Sequence, residues 1–330
     1  MICVGIDLGG TNIAAGVVNE TYQVLAKESI PTRVPRPVEE ICNDMAAVCR
    51  KALRKAGVSA QEVAWYGIGS PGVANPVTGE VEYANNLAFH HAPVGPLMEK
   101  LAGKQVYLDN DANAAAYGEM LAGAGKGVQS CVAVTLGTGV GGGVILNGKI
   151  FSGSNFAGGE LGHTVLVQGG EPCTCGRLGC WEAYASATAL IRQTRLAMEQ
   201  HPDSVMWQLA GTLDQVNGKT AFDAMRMGDP SGKAVVDAYI GYVASGVTNI
   251  INIFQPEVLC IGGGVSKEGE TLLAPIRKIV EQERYSKYSK KQTKICAAQL
   301  GNDAGIIGAA FLEKQCNHDR KEGNVVHGAV

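Results

Sequence analysis

Charge is scarce in this chain. Asp, Glu, Lys and Arg together make up 18% of 330 residues, where about 25% is usual. The charge that is present nearly cancels: 28 basic against 31 acidic side chains leave a formal net charge of −3. That balance advertises neither nucleic acid nor an anionic membrane as a partner. No secretory leader is expected either. Met1 is followed by Ile-Cys-Val-Gly-Ile and an acid at Asp7, with no basic opening. Long unbroken apolar runs are absent as well. Residues 127–148 carry no charge but are interrupted by seven glycines and two threonines. Residues 238–256 are uncharged too, yet hold Ser245, Thr248, Asn249 and Asn252. The first stretch reads as two strands around a loop and the second as a buried helix; neither is expected to span a membrane. No Walker pattern of four residues and then Gly-Lys-Ser/Thr occurs, which excludes a P-loop enzyme.

Glycine, by contrast, is plentiful: 44 residues of 330, roughly double the usual ~7%. A hydrophobic content of 46% excludes a disordered chain. The length favours two domains over one. Ten cysteines are irregularly spread, and without a leader they place the protein in a reducing cytoplasm.

Periodicity places the elements. Strands are expected at residues 2–6, 13–18, 23–29, 63–68, 106–108 and 258–261. Val38, Ile41, Met45, Val48, Ala52 and Leu53 recur at helical spacing, which predicts a helix over Val38–Ala56 opening behind Pro37. Further helices are expected over 112–123, 183–200, 232–254 and 304–313, and a fraying tail over 316–330. The second half repeats the opening. Val132-Ala-Val-Thr-Leu-Gly-Thr-Gly matches Val4-Gly-Ile-Asp-Leu-Gly-Gly-Thr at an offset of 128 residues, and Ile145-Leu146-Asn147 matches Val17-Val18-Asn19 at the same offset. Such a repeat suggests two related domains, each opening with a strand, a glycine loop and a strand. A ligand would then lie in the cleft between them.

Three glycine loops follow strands: residues 7–12, 137–143 and 262–264. Without side chains, backbone N–H groups approach phosphate oxygens closely. Thr11 and Thr138 add hydroxyls, and Asp7 suits a hydrated Mg²⁺. One such loop would be a plain tight turn; three in one chain favour phosphate. Asp111 follows a strand and opens a helix. Its residue type favours an N-cap, while its place at a strand's carboxyl end suits a general base acting by position more than basicity. Glu160, Glu182 and the pair Asn85-Asn86 read either as exposed loop residues or as partners for sugar hydroxyls. His90-His91 has no partner at metal spacing and reads as surface.

The sharpest constellation is Gly159-Glu160-Leu161-Gly162-His163 followed by Cys173-Thr-Cys175-Gly-Arg-Leu-Gly-Cys180-Trp-Glu182. Three clustered cysteines and a histidine suit a tetrahedral Cys₃His zinc site. All four positions are filled, so the metal is expected to be structural. A redox pair fits less well, since Cys-x-Cys is a poorer match than Cys-x-x-Cys. Cys3, Cys42, Cys49, Cys131, Cys260, Cys296 and Cys316 are scattered and read as core or free thiols.

With these residues in view, the sequence resembles the ROK family, which groups bacterial sugar kinases with related repressors. Asp7-Leu-Gly-Gly-Thr-Asn12, Leu108-Asp-Asn-Asp-Ala-Asn113, Glu160-Leu-Gly-His163 and Cys173-x-Cys-Gly-x-x-Gly-Cys-x-Glu182 stand in the family's order. The resemblance runs from residue 2 to about 312 and is greatest to the glucose-phosphorylating members of Gram-positive bacteria. It implies an α/β, actin-like and ribonuclease H-like duplicated two-domain fold: residues 1–112 with about 303–315 as a small domain, and 113–302 as a large one carrying the zinc loop 163–180. It implies ATP-dependent phosphorylation of a hexose at its 6-hydroxyl, glucose first, with Asp111 as the catalytic base. Asn86, Asn110, Asp111, Glu160, His163 and Glu182 match sugar-contacting positions. Asp7, Gly9, Gly10, Thr11, Gly137, Thr138, Gly139 and Gly263 match nucleotide-loop positions. His163, Cys173, Cys175 and Cys180 match the zinc ligands. Mg²⁺ with ATP and a structural Zn²⁺ are the implied cofactors.

Other readings stay open on the residues alone. N-acetylmannosamine, allose or fructose stays open as the substrate in place of glucose, because discrimination among such sugars rests on pocket shape. A sugar-responsive regulator is the rival of another class. The first strand starts at residue 2, so no DNA-binding segment is expected ahead of it. An actin-fold ATPase working with a protein partner ranks behind both, since it has no evident use for the zinc loop. A homodimer is common in the family; the uncharged helix is better explained by core packing than by an interface.

Overall fold

In this computed structural model, residues 1–315 are described, and the tail expected over 316–330 lies outside them. Strand β1 (Ile2–Leu8) pairs antiparallel with β2 (Asn12–Asn19), which pairs antiparallel with β3 (Val24–Pro31). Helix α1 (Val38–Ala56) follows and has the limits that its apolar spacing predicts. Next comes β4 (Val63–Ser70), parallel to β1. Three short strands, β5 (Val73–Asn75), β6 (Glu80–Ala84) and β7 (Phe89–Ala92), make a small antiparallel sheet of their own. Helix α2 (Val94–Ala102) leads to β8 (Val106–Asn110), parallel to β4, and α3 (Asp111–Ala122) starts at once.

The second half begins with β9 (Cys131–Leu136), β10 (Val140–Leu146) and β11 (Lys149–Ile150). After a long irregular stretch come α4 (Glu182–Ala185), α5 (Ala187–Gln200), α6 (Met206–Ala210), α7 (Thr220–Arg226) and α8 (Pro230–Phe254). Strand β12 (Val258–Gly262), helix α9 (Glu270–Glu283), strand β13 (Lys294–Ala297) and helix α10 (Asp303–Ala310) complete the order. The two large sheets run β3-β2-β1-β4-β8 and β11-β10-β9-β12-β13. They match place for place, so the sequence repeat is a duplicated topology. Contacts divide the chain into two units. The first is Met1–Ala133 with Gly143–Gly159 and the described residues from Ala298 on; the second is Val134–Gly142 with Glu160–Ala297.

In the first unit, strand alternation decides what each sheet face carries. Val4, Ile6 and Leu8 of β1 enter a core with Ile41, Met45, Val48 and Ala52 of α1. Burying each large apolar side chain there stabilises the fold by ~1.5–3 kcal/mol. Gly5 and Asp7 turn to the other face, where α10 lies. A Cβ on Gly67 of β4 would stand 1.8 Å from the Ala309 carbonyl oxygen, so only glycine lets α10 settle on the strands. Helices α10 and α3 approach closely through Ala114, Gly118, Ala304 and Gly308.

In the second unit, the helix expected over 183–200 is two helices. Ser186 breaks it, because its hydroxyl accepts the Ala189 N–H and caps α5. The uncharged stretch 238–256 follows α8 to its end at Phe254 and its C-cap Gln255, and stops one residue beyond. That helix starts earlier, at Pro230 behind the Asp229 cap, whose side chain accepts from Ser231 and Gly232. Among the described residues it alone is long and apolar enough to cross a membrane, yet 61% of its most apolar window is buried inside the protein. That is the burial expected of a core helix.

Candidate active site

Because β1, β4 and β8 are parallel, their carboxyl ends gather on one side. Register aligns Asp7 with Gly69, and Gly69 with Asp109. Open α/β sheets place ligands at such ends. A Cβ on Gly69 would touch the Asp111 Cα at 3.3 Å, so Asp111 stands directly over this row. Burial pushes the Asp7 carboxyl up to about 6, and the negative charge of Asp111 pushes the same way. Gly305 of α10 lies against the same carboxylate.

The N-cap of α3 is Asn110 and not Asp111. Asn110 Oδ1 accepts from Ala112 N at 2.8 Å and Asn113 N at 3.2 Å, and its Nδ2 donates to Gly72 O at 3.0 Å. Asn110 has the extended backbone a cap needs, whereas Asp111 already belongs to the helix. Asp111 Oδ1 also accepts from Ala112 N, at 2.9 Å. Beneath them the buried Asp109 accepts from Asn110 N and Asn113 Nδ2. Among the described residues Asn110 Nδ2 donates to Gly72 O alone.

The turn at residues 7–12 is braced from outside. Gly9 N donates to Asn12 O, Thr32 Oγ1 donates to Gly9 O at 2.6 Å, and Thr32 N donates to Thr11 O. Gly9 N–H therefore closes the turn, and the N–H groups of Gly10 and Thr11 take no part in closing it. Asn86 sits in the exposed turn after β6, and a Cβ on Gly10 would lie 3.2 Å from its Cβ. A candidate sugar residue and a candidate nucleotide loop thus touch within the first unit.

The second glycine turn is built likewise. Gly137 N donates to Gly139 O, while Ala187 N and Thr188 Oγ1 donate to the carbonyls of Gly137 and Thr138. The start of α5 thereby holds the turn. Gly263, just past β12, lies against Leu136 at the end of β9.

His163, Cys173, Cys175 and Cys180 form a knot in which one ligand atom from each lies within 4.8 Å of the others. Cys175 and Cys180 sulfurs stand 3.6 Å apart, as do His163 Nδ1 and Cys173 Sγ. Tetrahedral zinc with Zn–S bonds of ~2.3 Å requires ligand separations of roughly 3.7 Å, whereas a disulfide requires ~2.05 Å. The donor set fits zinc. The hairpin that presents it is closed by Cys173 N to Arg177 O and Gly179 N to Glu171 O, and Arg177 donates to His163 O. Glu182, at the start of α4, turns its carboxylate to this knot. Glu160 is exposed and joins through its carbonyl, which accepts from His163 N.

The residues singled out by sequence thus form two clusters. Asp7, Gly9, Gly10, Thr11, Asn86, Asn110 and Asp111 belong to the first unit. Gly137, Thr138, Gly139, Glu160, His163, Cys173, Cys175, Cys180, Glu182 and Gly263 belong to the second. Thr32, Thr174, Ser186 and Thr188 support these clusters without a motif that marks them. Only Ser186 carried a local signal, a cap residue at the head of a helical pattern. His90 and His91 are exposed, and His90 meets the ring of Tyr83.

The ROK family model matches residues 3–316. The chain is 38% identical over 314 residues to a glucokinase of Thermotoga maritima, covering 94% of this chain and 97% of that protein. It is 37% identical over 325 residues to a glucokinase of Halalkalibacterium halodurans, covering 97% of each. It also resembles the crystal structure of a ROK family glucokinase from Streptomyces griseus in complex with glucose and AMPPNP. That likeness has a TM-score of 0.80 at 36% identity and covers 94% of this chain and 99% of that one. The fold is accordingly the actin-like sugar-kinase fold that the sequence led us to expect. The chain belongs to the ROK family.

Proposed function

We propose that this protein is an ATP-dependent hexose kinase that moves the γ-phosphoryl group of ATP to the 6-hydroxyl of glucose, with Asp111 as general base. The observation that carries the reading is Asp111 at the carboxyl ends of three parallel strands, with Asp7 and its glycine turn beside it. Support comes also from the relatives that act on glucose at 37–38% identity and from the related structure holding glucose and AMPPNP.

Phosphoryl transfer needs alignment and charge neutralisation more than covalent help. Asp111 takes the proton of the 6-hydroxyl as the new O–P bond forms and ADP leaves. Asn86, the remaining amide hydrogen of Asn110, Glu160, His163 and Glu182 hold the sugar. His163 turns Nδ1 to the knot, which leaves Nε2 for a hydroxyl. The groups of Gly10, Thr11, Thr138, Gly139 and Gly263 receive phosphate oxygens, and Asp7 would hold the Mg²⁺ bound with ATP, which would neutralise phosphate charge. Zinc bound by His163, Cys173, Cys175 and Cys180 would supply rigidity and no chemistry, since the four ligands fill its coordination. The free thiols among the described residues support a cytoplasmic home. Phosphorus NMR of the product tests the reading: a monoester on carbon 6 is expected, and one on any other carbon would overturn it.

A further inference from the structure

Glu182 is assigned above to the sugar, yet its carboxylate is engaged on two other sides. Oε2 accepts the Val140 N–H at 2.9 Å, where the turn 137–139 ends and β10 begins. Oε1 faces Thr174 Oγ1 at 3.2 Å and Cys173 Sγ at 3.6 Å, both in the knot. The residue that admits this approach is Gly139: a Cβ there would stand 2.3 Å from Oε2 and 3.2 Å from Cδ. Gly139 does not have a left-handed φ, so the turn's conformation does not demand glycine. Room for the carboxylate does.

We infer that Glu182 couples the nucleotide turn to the metal knot. Its carboxylate holds the turn 137–139 in the form that receives phosphate, and the same bond sets the direction of the oxygen offered to the sugar. The inference rests on the kinase reading and adds one consequence to it. Nucleotide affinity in the absence of sugar depends on Glu182, a residue that a plain sugar contact would leave out of nucleotide binding.

Calorimetry of Mg·AMPPNP on the sugar-free full chain tests this, with metal content and melting temperature recorded for each variant. Glu182→Gln keeps an acceptor for Val140 N–H and is expected to bind nucleotide within twofold of the parent. Glu182→Ala leaves that N–H without its acceptor and is expected to bind about tenfold more weakly, or ~1.4 kcal/mol. Gly139→Ala keeps Glu182 but pushes its carboxylate aside, and is expected to weaken nucleotide to the same degree. Because Gly139 itself stands in the phosphate turn, the two changes are also combined, and the double variant is expected to bind nucleotide no more weakly than either single one. Glu182→Ala binding as tightly as the parent, or Gly139→Ala doing so, overturns the coupling and leaves the kinase reading intact. A parent protein that binds no nucleotide overturns the kinase reading and the coupling with it.

Discussion

Asn110 caps the helix that Asp111 begins. The carbonyl oxygen of the Asn110 side chain takes the N–H groups of Ala112 and Asn113, the second and third residues of the helix, and its amide ties back to Gly72. The backbone that carries Asp111 is therefore fixed by its neighbour. Asn110→Ala is expected to cost about 1 kcal/mol, the usual worth of a cap, and to lower kcat by letting Asp111 drift. Asn110→Asp retains a cap oxygen but loses the amide tie to Gly72 and adds an acid between Asp109 and Asp111, so it is expected to recover only part of the stability, read by denaturant unfolding.

Asp111→Ala is expected to abolish turnover while glucose affinity stays within an order of magnitude of the parent. The proton acceptor acts as charge develops, and much of the sugar's binding comes from other side chains. Calorimetry with glucose checks it; loss of sugar binding would assign Asp111 to holding the substrate instead.

Asp7 predicts opposite pH trends for binding and stability. Its carboxyl is pushed up to about 6 from an ordinary 3.8. The folded state therefore holds that proton more tightly than the unfolded chain does. The stability it contributes is fully present below pH ~4 and is lost as pH rises through ~6. Binding of Mg·AMPPNP runs the other way, because a cation needs the ionised form, and should weaken as pH falls through ~6. Asp7→Asn is expected to remove that limb from the binding profile. A profile flat between pH 5 and 7.5 in the parent protein contradicts the assignment.

Chelating the knot metal is expected to lower the melting temperature and raise the apparent KM for glucose, with a smaller effect on kcat. A metal held by His163, Cys173, Cys175 and Cys180 would brace the hairpin beside Glu182. Metal-free protein with unchanged melting and kinetics would leave the knot without a role.

What the sequence made legible was local or repeated. The apolar spacing of Val38–Ala56 marked α1 to the residue, and the 128-residue repeat became two sheets of the same strand order. The four knot ligands lie within 18 residues of one another, so their spacing alone drew them together. The rest depended on partners distant in the chain. Thr32 braces a turn that lies 20 or more residues before it, and Thr188 braces one 50 residues away. Nothing near either residue announces that duty. The cap was misread at Asp111 because Asn and Asp are both good caps, and the backbone at position 110 decides between them. Strands β5 to β7 are too short and too polar for periodicity to reveal.

The most direct test of the account is ADP release with Mg·ATP against glucose, N-acetylmannosamine, N-acetylglucosamine, allose, mannose and fructose, with Asp111→Ala as the blank. The account predicts a kcat/KM for glucose at least tenfold above every other sugar, ~1.4 kcal/mol of discrimination, and no signal from the blank. Another sugar in first place would contradict the assignment of glucose, and turnover by the blank would contradict the role of Asp111.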